Sequence, residues 1–399
     1  MSSLDIRQLR GDDVDAMCDM VDRAFGGSDR PEDRAVEVGV LDLARMYGGF
    51  DRGDLVATAG SFRFLMTVPG ARMHVAGITW VAVEATHRRR GLLRTLMSRQ
   101  LADLRGAGES VAALWASQGS IYQRFGYGPA SWATGVTVPS KAAFRSPVGP
   151  AVHLRRVRPE VNTLAPIYDR AAQRTAGWCD RDDAWWAYRL HDPEHSRDGF
   201  SPLGAIVADD GYVLYATKPD WTGAGPAGTV RVRELVATSP ASVAALWRFV
   251  LDLDLMASIT AWPCPPDNPL LHLLAEPRAA QATLRDNLWV RLVDVPLALE
   301  ARRYATAVDV VLEVTDTFCP WNAGRWRLTG GPGGATCAAT ADPADLTLGV
   351  ADLGAAYLGG SSLVARAAAG GVVEWSAGSL STSTALGWPG PAPYCPMVF

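Results

Sequence analysis

A mixed α/β (α+β) fold in two to three domains is predicted by three observations. The chain has 399 residues, against about 100 to 200 for a typical domain. Hydrophobic residues make up 48% of it and charged residues 20%, enough apolar material for several packed cores. Strand-like and helix-like patterns alternate along residues 1–138, as in a layered domain.

Taken in order, Val14, Met17, Val21 and Phe25 lie at near-helical spacing behind Asp12 and Asp13, which are suited to cap that helix. Strand-like runs follow at 55–59, 62–68 and 73–83, and the Pro69-Gly70 turn makes the last two a hairpin. Residues 91–105 read as a helix burying Leu92, Leu93, Leu96, Met97, Leu101 and Leu104. A short apolar strand at 111–115, one or two helical turns at 120–125 and an extended run at 131–138 complete the first domain. Pro139, Pro147, Gly149 and Pro150 predict a linker over 139–152. Beyond it lie an aromatic-rich helix around Trp185, Trp186 and Tyr188 and a hairpin turning at 209–211. A strand at 230–237 then leads through Ser239-Pro240, an N-cap and first helical position, into a helix. This step repeats the one at 73–105 without its arginines and open glycine, and suggests a degenerate copy of the first domain. A third segment begins near Pro296, with strand-like pieces at 308–314 and 346–350, and the chain ends in a stiff proline-rich strap at 387–393 leading to Phe399.

Composition narrows the partners. A net charge of −4 gives no bulk basic footprint, so neither a nucleic-acid nor an anionic-membrane partner is expected. The acidic start and the lack of an uncharged 18-residue apolar stretch predict a cytoplasmic protein. Six cysteines without a CxxC pair read as reduced, packed thiols. His191 and His195 stand four apart, yet Pro193 disfavours the helix that would align them, and no metal is expected.

The chemistry concentrates in Val81-Ala82-Val83-Glu84-Ala85-Thr86-His87-Arg88-Arg89-Arg90-Gly91-Leu92-Leu93-Arg94. A strand, a basic loop and a helix opening at a glycine bring free backbone N–H groups and a positive helix end to one point, which suits an anion. The alternative is a solvated basic face at a helix start. Neither GxxxxGK[ST] nor GxGxxG occurs at this junction.

The loop resembles the pyrophosphate loop of the GNAT acetyltransferases, Arg/Gln-x-x-Gly-x-Gly/Ala, with Arg88 and Gly91 in place and Leu93 where Gly or Ala is usual. The strings THRRRGLLR at 86–94 and SQGSIYQRFGYGPA at 117–130 resemble one branch, the Eis (enhanced intracellular survival) family of bacterial N-acetyltransferases. The resemblance implies an active N-terminal GNAT domain over 1–138, a degenerate GNAT-like domain over 139–295 and a sterol carrier protein 2-like domain over 296–399. It implies a homo-hexamer that moves an acetyl group from acetyl-CoA to small-molecule amines such as aminoglycosides. By the same resemblance, Val81, Ala82, Val83 and Ser117 hold the thioester end of the co-substrate. Arg88, Arg89, Arg90, Gly91, Leu92, Leu93 and Arg94 hold its pyrophosphate. Tyr122 becomes the general acid, the Phe399 carboxylate the base or cation-capturing group, and Phe25 and Trp80 the acceptor contacts. Gly27 and Val398 stand where relatives often carry acids, which points to a smaller or less charged amine, and Asp29, Glu32 and Glu84 are the carboxylates that could compensate.

Residue types alone leave more open. A phenol of ordinary pKa about 10 donates to a thiolate only with help from its surroundings, and spacing does not choose between Tyr122 and Tyr127 or separate either from a core ring. The reaction expected is direct attack in a ternary complex. Two further readings stand beside it: acetylation of protein lysines, and a non-catalytic scaffold whose third domain holds an apolar ligand.

Overall fold

The computed structural model describes residues 5–27, 30–146 and 151–399. Asp29 and the linker residues Pro147, Gly149 and Pro150 lie outside them. The chain opens with β1 (Asp5–Gln8), α1 (Val14–Phe25), α2 (Pro31–Gly39), β2 (Met46–Asp51), β3 (Asp54–Val68), β4 (Ala71–Val83), α3 (Leu92–Gly106), β5 (Val111–Trp115), α4 (Gly119–Gln123) and β6 (Gly128–Pro129). It continues through β7 (Trp132–Pro139), β8 (Arg155–Val157), α5 (Val161–Ala172), α6 (Asp183–Leu190), β9 (Gly204–Ala208), β10 (Gly211–Lys218), the ribbon β11 (Trp221–Thr222) and β12 (Gly225–Pro226), β13 (Gly228–Ala237), α7 (Pro240–Leu251), β14 (Met256–Cys264), α8 (Leu270–Leu273) and β15 (Thr283–Asp286). The last stretch holds β16 (Leu288–Leu292), α9 (Val295–Glu300), β17 (Val308–Thr315), β18 (Gly324–Gly331), β19 (Gly334–Ala339), β20 (Leu346–Gly349), α10 (Val350–Ala356), α11 (Leu363–Ala368), β21 (Val372–Glu374) and α12 (Thr382–Leu386).

Three principal sheets result, ordered β1-β2-β3-β4-β5-β16-β6, β15-β7-β14-β13-β10-β9-β8 and β19-β18-β17-β20-β21. The chain groups into two compact units. The first takes residues up to Ser131 with Asn287–Pro389 and Val398–Phe399, and the second takes Trp132–Asp286 with Gly390–Met397.

The compact units part at Ser131 and Trp132 and again at Asp286 and Asn287. Strand β7 belongs to the second sheet, and β16, whose five residues are all buried, is inserted between β5 and β6 of the first. Ser131 and Asn287 clip the two crossing points together, Ser131 Oγ donating to Asn287 Oδ1 at 2.9 Å. The start of the predicted linker is tied down in the second unit: Ser140 N–H donates to Ala257 O and Arg145 N–H to Leu273 O. The two runs expected at 55–59 and 62–68 are one strand, with Gly60 between them in mid-strand under Met46. Asp13 does not cap α1 through its side chain; it accepts from Arg7 and, closing the 3-10 turn Gly11–Asp13 that precedes the helix, from the Arg10 N–H.

Helix α3 buries Leu92, Leu96, Met97, Leu101 and Leu104 as its spacing predicts, whereas Leu93, expected with them, is only half-buried. All six cysteines are buried and none is in a disulfide, and no described helix is long and apolar enough to cross a membrane. In the second unit the strand-helix-strand step recurs: β13 and β14 are parallel, with α7 between them in sequence, as β4, α3 and β5 are in the first. The copy is closed at its helix start. Ser239 Oγ takes the Ser242 N–H, Pro240 has no N–H to give, and the Asp210 carboxylate accepts from Thr238 and Ser242 at the same end. An anion would meet a carboxylate there instead of free donors.

The core of the second unit holds an ionic group. Glu234, 5% exposed, accepts from Arg181 at 2.6 and 3.1 Å and from the Tyr212 hydroxyl at 2.8 Å. Burial pushes its carboxyl up, but Arg181, Arg189 and these hydrogen bonds outweigh that and hold it at about 2. Its folded pKa is depressed, so its contribution is complete above the unfolded pKa near 4.5 and is lost as pH falls towards 2. Glu234→Ala leaves buried guanidiniums unpaired, and the expected loss is about 3 to 5 kcal/mol by chemical denaturation at neutral pH. A loss within experimental error would show the group to be energetically idle.

Candidate active site

Strand β4 pairs with β3 along its length, but the register slips: Thr58 faces Ala82 while Gly60 faces Thr79. The extra residue falls in β4 at Trp80, whose φ of +52° is strained for an aromatic residue. On its other edge β4 pairs with β5 only at Ala76 and Gly77. From Ile78 onwards the two strands part, so Val81, Ala82 and Val83 border an opening in the sheet. A bulge and an opening together leave backbone groups of this strand end without ladder partners.

After β4 the chain turns through Arg89 (φ +64°) and Gly91 (φ +83°) into α3. Two left-handed residues bend the backbone into a concave turn over the helix start. No side chain caps α3, and a Cβ placed on Gly91 would meet nothing within 4 Å. Open space therefore lies over the first-turn N–H groups of a 15-residue helix. Arg88, Arg89 and Arg90 are exposed around it, Arg88 Nε donating to Val83 O at 3.4 Å and Arg90 lying 3.8 Å from Asp51. His87 Nε2 is 3.1 Å from Asp51 Oδ2, which makes it a support of the loop. Leu92 is buried and Leu93 half-buried, so these two can offer backbone alone. Arg94 turns elsewhere: its guanidinium lies 5.1 Å from the centre of the Phe318 ring.

Tyr122, on α4, is 6% exposed and belongs to the apolar cluster of Ala76, Ile78, Met97 and Leu114. Burial raises its pKa, and a hydrogen bond with exposed Ser117 opposes that. Tyr127 stands 6.1 Å away ring to ring, fully buried, its hydroxyl without a partner and its pKa driven up by burial. The pair that spacing could not separate is thus distinguished: Tyr127 is a core ring, whereas the Tyr122 hydroxyl reaches the Ser117 loop beside the opening.

Phe399 reaches the same strand from the other side. Its ring lies 4.9 Å from Phe64 and 6.3 Å from Phe62, centre to centre, and a Cβ on Gly77 would come within 3.0 Å of it. Gly77 stands opposite Phe62 in register, and its neighbours Ala76 and Ile78 point to the opposite face. Tyr122 therefore packs on the Ala76 and Ile78 face of β4 and the Phe399 ring on the Gly77 face, both where the β4–β5 ladder ends. Sequence reasoning did not single out Gly77, Phe62 or Phe64; a glycine inside a strand pattern was the available signal.

The acceptor contacts are uneven. Phe25 ends α1 and is 62% exposed. Trp80 packs against the cluster of Leu9, Met17, Cys18, Met46 and Phe50, which gives it a clear structural duty. Glu84 is engaged by Arg23 at 2.6 Å and so is no free acid.

Family models match the chain as an acetyltransferase (GNAT) domain over residues 5–130, a second acetyltransferase (GNAT) domain over 177–292 and a sterol carrier protein domain over 295–396. It is 45% identical over 406 residues to an uncharacterised N-acetyltransferase of Streptomyces avermitilis, covering 99% of each chain. With N-acetyltransferase Eis of Mycobacterium tuberculosis it shares 39% identity over 319 residues, 76% of each. The chain belongs to the Eis family of GNAT N-acetyltransferases. Eis1 from Mycobacterium abscessus superposes on it with a TM-score of 0.85 at 35% identity over the whole of both chains. A GCN5-related N-acetyltransferase from Kribbella flavida gives 0.81 at 27%, again over both chains entire. As a member of the Eis family it is an acyltransferase, with the order expected from its sequence: two GNAT domains and then a sterol-carrier-like one.

Proposed function

We propose that this Eis-family chain transfers the acetyl group of acetyl-CoA to the primary amine of a small molecule by direct attack in a ternary complex. One observation carries the reading: the β4–β5 opening lies beside an uncapped, glycine-fronted helix start, and Tyr122 and the Phe399 ring pack on the two faces of β4 where its ladder with β5 ends. The backbone at 88–93 would receive the diphosphate, with Arg88, Arg89 and Arg90 adding charge from the rim. The end of β4 would receive the pantetheine and the thioester.

The steps balance without a covalent enzyme intermediate. A neutral amine nitrogen attacks the thioester carbon, and the carbonyl electron pair moves to oxygen, where N–H groups of Val81–Val83 stabilise it. Collapse breaks the C–S bond, and the departing thiolate takes the Tyr122 proton. The proton lost from the amine passes to water, from which Tyr122 regains the proton it gave up, and the terminal carboxylate holds the cationic acceptor in place beforehand. A carboxylate near pKa 3.5 is too weak a base to strip an ammonium directly, so attraction is its main service.

Thiol release from acetyl-CoA, followed with kanamycin, spermidine and a lysine-bearing peptide as acceptors, tests this directly. Spermidine, smaller than kanamycin and with three amines against its four, is expected to give the higher kcat/KM of the two, because Gly27 and Val398 supply no negative charge for the more highly charged acceptor. CoA appearing no faster than without enzyme would overturn the activity, and a peptide outrunning both amines would redirect it to proteins. Gly91→Val is expected to raise the KM for acetyl-CoA about tenfold while leaving kcat within about twofold, since it forces a branched side chain into a left-handed turn over the anion cradle. An unchanged KM would remove the diphosphate from this loop.

A further inference from the structure

The second unit carries a cavity that the acetyl-transfer reading does not use. Strands β13 and β14 are paired from Gly228 and Met256 as far as Val232 and Ala261, then part. A cavity of about 340 Å³ lies where they separate, bordered by Arg233, Val236, Trp247, Trp262, Asn268 and Trp178, with Tyr394 of the proline-rich strap closing one side. The strap is held by hydrogen bonds from Ala392 N–H to Asp267 and from Tyr394 N–H to Ala176 O.

Two side chains of the wall have donors with nothing to donate to. Asn268 is 1% exposed, and its Oδ1 accepts the Leu270 N–H while Nδ2 has no partner. Trp178 is 4% exposed, held between Tyr168 and Tyr394 at ring distances of 5.1 and 5.7 Å, and its Nε1–H also has none. A buried donor left unsatisfied costs about 1 to 3 kcal/mol, so two on one cavity wall point to a ligand that accepts hydrogen bonds. The rest of the lining sets Val236, Trp247, Trp262 and Tyr394, which favour a ring, beside the charged Arg174, Arg233 and Asp267. A coenzyme diphosphate is excluded by the closed start of α7, where Ser239 and Asp210 occupy the place that Gly91 leaves open in the first unit.

We propose that the splayed sheet of the second unit is a binding site for a small aromatic molecule bearing a carbonyl oxygen, which accepts from Asn268 and Trp178. The site is independent of the acetyl-transfer chemistry and lies wholly within the second unit.

The test is calorimetric titration of the full chain, first without and then with saturating CoA, using 3-phenylpropionamide as the probe and propylbenzene as its counterpart without an acceptor. Saturable binding of the amide is expected, with propylbenzene about tenfold weaker. Asn268→Asp keeps the acceptor for Leu270 and removes the donor; Trp178→Phe keeps the ring and removes its N–H. Each is expected to weaken the amide about tenfold without lowering the rate of thiol release. Should Asn268→Asp fail to fold, Trp178→Phe gives the same reading. The proposal is overturned by any of three results: no saturation up to the solubility limit of the probe, equal affinity in the folded variants, or binding that disappears when CoA is added.

Discussion

Tyr122→Phe is expected to lower kcat by about 10²-fold while leaving the acceptor KM within about twofold, because general-acid catalysis is worth that much and is exercised only as the C–S bond breaks. The substitution removes one oxygen from a ring packed among Ala76, Ile78 and Met97, so the fold has little to lose. The pH profile gives a second reading. Burial holds the Tyr122 pKa above its ordinary value of 10, so the hydroxyl stays protonated through neutral and mildly alkaline pH. Over that range kcat/KM is expected to rise with pH as the acceptor amine loses its proton, with no tyrosine-linked fall before about pH 10. A falling limb well below that, absent in Tyr122→Phe, would mean that the hydroxyl ionises early and serves as a base.

Removing Phe399 is expected to cost about 10 to 10²-fold in kcat/KM, and a C-terminal tag at least as much. The Phe399 ring is seated against Phe62, Phe64 and Gly77, which fixes where the last carboxylate emerges. The shortened chain still ends in a carboxylate, now on Val398, but without the ring that places it. A displacement of about 1 Å can cost two orders of magnitude in a positioned site. Steady-state kinetics with spermidine checks this, and thermal melts of the shortened chain report whether the loss comes from the site or from the fold. Turnover equal to the full-length chain would leave the terminus without a catalytic duty.

Much of this architecture was legible in the residues. The 3.6-residue spacing of Leu92, Leu96, Met97, Leu101 and Leu104 gave α3, and Pro69-Gly70 gave the hairpin, because burial on one face and turn chemistry are local. Ser239-Pro240 likewise marked the start of α7. What stayed hidden depended on partners far along the chain. Nothing near Leu288 announces that its strand is claimed by β5 and β6, since a short buried strand has the same composition in either sheet. That 55–59 and 62–68 form one strand was hidden too, because the packing of Gly60 under Met46 is a tertiary fact. In the site, the string Arg88 to Gly91 was readable as an anion loop because a basic loop, a glycine and a helix start are contiguous. The opening beside it was not, because it takes the bulge at Trp80 and the early end of the β4–β5 ladder together. The choice of Tyr122 over Tyr127 likewise needed the contrast between an enclosed hydroxyl and one that meets Ser117.

The central claim is that the backbone between Arg88 and Leu93 grips a diphosphate and thereby lays an acyl thioester in the β4–β5 opening between Tyr122 and the chain terminus. A crystal structure of the protein with CoA tests it most directly. The account predicts diphosphate oxygens within hydrogen-bond distance of the backbone N–H groups around Gly91, and the CoA sulfur within about 3.5 Å of the Tyr122 hydroxyl. Diphosphate bound away from the start of α3, or a sulfur out of reach of Tyr122 even through one water, would contradict it.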